Sequence, residues 1–127
     1  MQRRETTGSV GESLAANWLE RHGFIIRERN YARKHGEIDI VATKDRVLHF
    51  IEVKTSRFYP DTSFTPEIRI NRRKIRNLKR ICETYLSETH VSQDQKWQID
   101  VISVILCRDG AVKELNYIEN AVFEERY

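Results

Sequence analysis

Three charged residues, Asp39, Glu52 and Lys54, stand inside two apolar runs, Gly36-Glu37-Ile38-Asp39-Ile40-Val41 and Val47-Leu48-His49-Phe50-Ile51-Glu52-Val53-Lys54. A buried charge costs on the order of several kcal/mol unless it is paired or holds a metal. Glu52 and Lys54 are two apart on a strand, so they share a face. Asp39 comes near Glu52 if the two runs close as a hairpin. Two adjacent carboxylates repel and raise each other's pKa. A hard divalent cation such as Mg²⁺, bound through oxygen, removes that conflict. Lys54 beside such a site would orient a water or stabilise charge on a phosphate oxygen. The competing reading is a salt bridge from Lys54 to Glu52 or Asp39 on a solvent-facing side of a sheet. Spacing alone leaves both standing.

The remaining charged candidates divide by position. Glu37 precedes Asp39 by two and shares its face, either as a group supporting the site or as an exposed strand start. Glu12 completes the pattern Ser9-Val10-Gly11-Glu12, a capping box for a first helix, and competes between that role and holding a metal or water. Asp100 interrupts an apolar strand and is expected to be paired, buttressing the site or bonding a backbone or lysine. Between Ile68 and Arg80 lie seven basic residues and no acid: Arg69, Arg72, Arg73, Lys74, Arg76, Lys79 and Arg80. A basic helix start with free N–H groups suits phosphates. Lys74 aligns with the inner helix face through Leu78 and Ile81. Arg57, Phe58 and Tyr59 add basic and aromatic groups after Lys54.

The elements that must position these groups follow from periodicity. Ser9 to His22 reads as a helix ending at Gly23. Phe24 to Arg29 reads as a strand, and residues 30–35 as a polar connection. Gly36 to Ala42 and Val47 to Thr55 form a hairpin around residues 43–46. Residues 56–66 read as a long loop. A second helix runs from an Asn71 cap to about Glu88, with Ile75, Leu78, Ile81, Cys82, Tyr85 and Leu86 as its apolar face. Trp97 to Leu106 is a strand, Asp109-Gly110 a turn and Ala111 to Ile118 a last strand. The order predicts an α/β fold, a mixed sheet flanked by helices.

With 127 residues the chain is expected to be a single domain, residues 1–127. Charged residues make 32% and hydrophobic ones 39%, the balance of a globular chain. Its net charge of +3 hides the basic run. Cys82 and Cys107 form no CxxC pair, and His22, His35, His49 and His90 show no zinc spacing. His49 is expected to pack within its strand. No signal peptide and no apolar stretch of about 18 residues is visible, so a reducing, cytoplasmic location without a membrane is expected. Glycine-rich phosphate loops, G-x-S-x-G and H-E-x-x-H are absent.

Taken together, Asp39 and the Glu52-Val53-Lys54 E-x-K resemble the PD-(D/E)xK, or restriction-endonuclease-like, nuclease superfamily. More closely, the chain resembles the YraN-like, UPF0102-type family of small bacterial proteins, related to archaeal Holliday-junction resolvases. The resemblance rests on Gly8-x-x-Gly11-Glu12, Gly23, Asn30, Gly36-Glu37-Ile38-Asp39, Glu52-Val53-Lys54, Lys74 and Asp100. It implies a restriction-endonuclease-like αβββαβ core with the site at the hairpin, and an acid from the first helix, at the position of Glu12, joining that site. It further implies Mg²⁺ or Mn²⁺ held by Asp39, Glu52 and the Val53 carbonyl, with Glu12 holding a second ion or a water. Lys54 would position the nucleophile or scissile phosphate. Lys74, with Arg72, Arg73, Arg76 and Arg57, would grip the backbone of a nucleic acid, DNA above all. Phosphate contacts give affinity without sequence choice, which points to branched or junction DNA. By analogy with a two-fold junction, a homodimer is implied. Two alternatives remain. One is a non-catalytic nucleic-acid-binding protein of the same fold that acts through partners. The other is an interaction module whose charges form salt bridges, against which the basic helix argues.

Overall fold

The structure, a computed structural model, describes residues 6–58 and 72–121. Its elements in order are α1 (Thr7–Arg21), β1 (Ile25–Arg33), β2 (Gly36–Lys44), β3 (Val47–Arg57), α2 (Arg72–Glu88), β4 (Lys96–Leu106) and β5 (Val112–Ile118). The five strands form one sheet in sequence order. The β3–β4 pair is parallel and every other pair antiparallel. A parallel neighbour needs a crossover, and α2 supplies it. The α/β class and the mixed sheet between helices are as expected, and the αβββαβ order is that of a restriction-endonuclease-like core.

The two helices cover opposite faces. Ala15, Ala16 and Leu19 of α1 pack with Phe24, Ile40, Ala42, Ile51, Ile102 and Val104. Ile75, Leu78, Ile81, Cys82 and Tyr85 of α2 pack with Tyr31, Ile38, Val41, Leu48, Phe50 and Ile99. Cys82 is buried on that inner face and Cys107 is half-buried; both thiols are free. Among the described residues no helix is long and apolar enough to cross a membrane.

Several boundaries differ from the sequence expectation. The Ser9 capping box does not form. α1 begins at Thr7, and the Thr6 side chain accepts the Ser9 N–H at 3.0 Å. Thr6 offers the same hydroxyl chemistry as Ser9 but three residues earlier, and Glu12 is thereby released from capping. At the other end Gly23 takes φ +87°, with Phe24 N–H on the Leu19 carbonyl and Gly23 N–H on that of Glu20. That is a Schellman end, which glycine accommodates without strain.

β1 runs through Arg33, and the polar segment 30–33 is strand, not connection. Its backbone hydrogen bonds to β2 outweigh its polar composition, because its outer face is solvent-exposed. The β2–β3 turn is only Asp45-Arg46, both at positive φ, the two-residue turn that suits strand twist. β3 runs to Arg57, beyond the Thr55 expected. The rest of the long loop, Tyr59 and the Asn71 cap lie outside the described residues.

Candidate active site

The site is built where the sheet parts. β2 and β3 pair from Lys44↔Val47 to Ile40↔Ile51, and the register goes no further. Beyond it, the Val53 N–H is taken by the Asp39 carboxylate at 2.8 Å. Side-chain alternation on β2 also breaks here. Ile38 packs on the α2 side, whereas Ile40, two residues on, packs on the α1 side. In a regular strand residues two apart share a face. Across on β1, between the pairs Arg29↔Ile40 and Tyr31↔Ile38, sits Asn30 with φ +54°. The left-handed backbone at Asn30 and the turnover at Asp39 lie on adjacent strands. Together they bring the Asp39 carboxylate to the opening beside β3.

Into that opening α1 delivers Glu12. The helix crosses β3 at Gly11, where an added Cβ would lie 1.8 Å from Thr55 Oγ1. This close approach fixes the rotation and depth of the first two helical turns, and Glu12 follows immediately. Carboxylate oxygens of Glu12, Glu37 and Asp39 all lie within 4.8 Å of one another. With its Nδ2 turned toward the acids, the orientation that satisfies both partners, Asn30 donates to Glu37 Oε1 and Glu12 Oε2, each at 3.0 Å.

Glu52 and Lys54 continue the face of Leu48 and Phe50, the α2 side. Glu52 Oε1 accepts from Lys54 Nζ at 2.9 Å and from Lys74 Nζ of α2 at 2.5 Å. The salt bridge weighed from sequence is therefore present, with a second lysine added. Its other oxygen, Glu52 Oε2, is buried with no hydrogen-bond partner among the described residues. Such an orphaned carboxylate oxygen is uncommon and calls for an explanation, an ion among them.

The electrostatics single out Asp39. Burial pushes its carboxyl up to about 7; the Val53 N–H opposes this, and the Glu12, Glu52 and Glu37 charges add to it. Lys54 is held protonated above its ordinary range: burial works against the charge, but the Glu52 and Asp39 carboxylates outweigh it. Three carboxylates thus converge, and a fourth, Glu52, adds its charge while paired with two ammonium groups. A divalent cation would offset the remaining charge, so these residues fit Mg²⁺ or Mn²⁺. Glu12, Glu37 and Asp39 would hold it.

Asp100 does not join this group. Its carboxylate is fully buried and accepts from His49 Nδ1 at 2.6 Å, Gln98 Nε2 at 2.8 Å, Asn120 N–H at 3.0 Å and the Tyr117 hydroxyl. Burial alone would raise its pKa; the hydrogen bonds from His49, Tyr117, Asn120 and Gln98 lower it instead. The network ties β3, β4 and β5 together beside the last turns of α1, where Trp18 stacks on Tyr117 at 5.3 Å. Glu12 lies in the second turn of that helix. His49 is indeed packed, and Asp100 is its partner.

Of the basic candidates, Arg73 and Arg76 are exposed on α2, and Lys74 is turned inward onto Glu52. The Arg72 side chain lies outside the described residues. Arg57 donates to Thr7 Oγ1 at the start of α1, at 3.3 and 3.2 Å, and the neighbouring Phe58 ring carries Lys113 Nζ 4.1 Å from its centroid. Two residues matter more than the sequence suggested. Glu37 is part of the acid cluster itself. Asn30 bridges two acids, and only its place across from Asp39 in the β1–β2 register reveals it.

Comparison with other proteins gives a consistent picture. The sequence pattern of the uncharacterised protein family UPF0102 matches residues 11–104. A UPF0102 protein of Dictyoglomus thermophilum is 39% identical over 115 residues, covering 90% of this chain and 94% of that relative. One of Syntrophomonas wolfei is 43% identical over 115 residues, covering 90% and 95%. A third, of Pelobacter propionicus, is 40% identical over 124 residues, covering 95% and 84%. The matched span 11–104 contains every acid of the site, both of its lysines and Asn30. The chain belongs to the UPF0102 family.

Proposed function

We propose that this protein is a metal-dependent nuclease that hydrolyses phosphodiester bonds in DNA. The observation that carries the reading is the acid cluster at the parted strands: Glu12, Glu37 and Asp39 offer oxygens within 4.8 Å of one another, the half-buried Asp39 accepts the Val53 N–H at 2.8 Å, and burial pushes its carboxyl up to about 7. Such a carboxylate is poorly stable as a bare anion at neutral pH and gains from a cation. A bound Mg²⁺ or Mn²⁺ would supply acidity to a water and offset charge on phosphate oxygens.

The chain's own groups then divide the work. Asp39 and Glu12, from β2 and α1, converge as oxygen donors with Glu37 beside them. Lys54, kept cationic by Glu52 and Asp39, faces phosphate oxygen or orients the attacking water through Nζ. Lys74 keeps Glu52 in place through Oε1. Arg73 and Arg76, exposed on α2, contact the backbone without reading sequence. A substrate recognised by shape, such as branched or junction DNA, agrees with that division.

The test is cleavage of labelled single-stranded, duplex, flap and four-way DNA with Mg²⁺ or Mn²⁺. Wild type should cut at least one substrate, and Asp39→Ala and Glu52→Ala should lower the rate at least ~100-fold, the order of losing a group that acts at the transition state. Equal cutting by the variants, or none by wild type, removes the nuclease reading. A second reading is a nucleic-acid-binding protein without catalysis. It is favoured by the Glu52 ion pair with both lysines, which neutralises that carboxylate without any metal. Salt-sensitive binding without cleavage is its signature.

A further inference from the structure

Asn30 stands in the middle of a strand with a backbone that strands avoid. Its φ of +54° lies in the left-handed region, where asparagine is among the few tolerated side chains. β1 nevertheless keeps its register across it, from Arg29↔Ile40 to Tyr31↔Ile38. The unusual backbone is therefore not a break in the sheet. It accompanies a specific side-chain placement: one amide nitrogen donating to Glu37 Oε1 and Glu12 Oε2, both at 3.0 Å.

Those two acceptors come from different elements, Glu12 from α1 and Glu37 from β2. They are also two of the three acids whose oxygens converge within 4.8 Å, the third being Asp39. Carboxylates that close repel one another and would otherwise swing apart. An amide bridge counters the repulsion without adding charge. An arginine or lysine in its place would cancel the negative field that attracts a cation. Aspartate would add a further acceptor and a further repulsion. Each carboxylate also keeps lone pairs beyond those the amide uses.

We propose that Asn30 is a positioning residue for the cation site, holding Glu12 and Glu37 in the arrangement that a divalent ion requires. The inference rests on the reading of that cluster as a metal site. Asn30 touches the ligating acids and neither the metal nor the phosphate. It joins the helix and strand halves of the site, so its loss weakens ion binding more than it lowers the turnover of the ion-loaded protein. Outer hydrogen-bond partners of metal ligands are typically worth roughly 10–100-fold in affinity.

The experiment measures Mn²⁺ binding to the full chain by calorimetry, for wild type, Asn30→Gly, Glu12→Gln, the double variant and Asp39→Asn. Glycine tolerates the positive φ, so Asn30→Gly removes the amide and spares the backbone. Expected is a loss of about 10-fold or more in Mn²⁺ affinity for Asn30→Gly. In the Glu12→Gln background the same change should cost markedly less, which a merely structural role would not produce. Wild-type affinity in Asn30→Gly, or equal losses in both backgrounds, overturns the role of Asn30 while leaving the metal site intact. No Mn²⁺ binding by wild type, or undiminished binding by Asp39→Asn, overturns the metal reading and this proposal with it.

Asn30→Asp supplies a second readout that needs no metal. In EDTA at mildly alkaline pH this variant, with the same shape but no donor, should melt several degrees below wild type through repulsion from Glu12 and Glu37. An unchanged melting temperature means the amide does not bridge the acids, and the proposal fails.

Discussion

Asp39 carries the sharpest consequence at the scale of single residues. Its carboxyl is raised from 3.8 to about 7, first by burial and then by the neighbouring acids. A group whose folded pKa exceeds its unfolded value stabilises the fold while protonated. That contribution is complete below the unfolded value of 3.8 and is lost as pH rises through about 7. The metal-free protein should therefore lose stability across this window. Asp39→Asn should flatten the slope and raise the melting temperature above the window, while abolishing the stabilisation that Mn²⁺ gives to wild type. Thermal melts across the window, with EDTA and with Mn²⁺, measure all three effects. A wild-type curve that rises through the window would show that Asp39 is not held this way. Asp100 acts in the opposite sense. Its pKa is lowered, so its contribution is present at neutral pH and disappears only in acid below the window of Asp39.

Between elements, the decisive contact is α1 on β3 at Gly11. A methyl group there would meet Thr55 Oγ1 at 1.8 Å and Thr55 Cβ at 2.8 Å, and the second of these is not a flexible end that can turn away. Gly11→Ala must lift the helix, and Glu12 moves with it. Overpacking of this kind costs about 1–3 kcal/mol. The variant should melt lower and bind Mn²⁺ more weakly, although no acid has been altered. Adding Thr55→Gly should recover part of both losses by clearing the obstructing side chain. Calorimetry and melting of the two variants decide it; a Gly11→Ala protein with wild-type affinity would mean that the helix position does not set Glu12. The same crossing explains why a small residue, not a better helix former, occupies the second turn of α1.

Across the described residues of the molecule, the acid cluster at the parted strands and the exposed arginines of α2 occupy different places. The net charge of +3 averages an acidic opening between β2 and β3 with a basic helix on one face of the sheet. Two apolar clusters, one under each helix, make the sheet a rigid middle layer, so the acids from α1 and β2 and the lysines from β3 and α2 meet around a fixed edge. If the outer face of α2 grips phosphates, Arg73→Gln with Arg76→Gln should weaken binding alike for all sequences. The slope of log affinity against log salt should then fall by about 1 for each phosphate that the protein no longer neutralises. Titrations of one DNA at several salt concentrations read this slope, and an unchanged slope places the nucleic-acid interface elsewhere.

The sequence by itself determined the kinds of element and most of the chemistry available. Two apolar runs around a polar turn marked the hairpin, helical periodicity marked the inner face of α2, and charges inside apolar strands marked Asp39, Glu52 and Lys54 as residues needing partners. Local pattern suffices there because each signal is written within a few neighbouring residues. Boundaries were less legible: Ser9 and Thr6 offer the same capping hydroxyl, and a polar segment such as 30–33 reads as loop when only its neighbours across the sheet make it strand. Tertiary structure alone decided which acids meet. Glu12 and Glu37 converge on Asp39, while Glu52 turns to Lys54 and Lys74 and Asp100 to His49. The reason is physical. That choice depends on the depth of a helix at one glycine and on the sign of φ at one asparagine, and neither leaves a periodic trace along the chain.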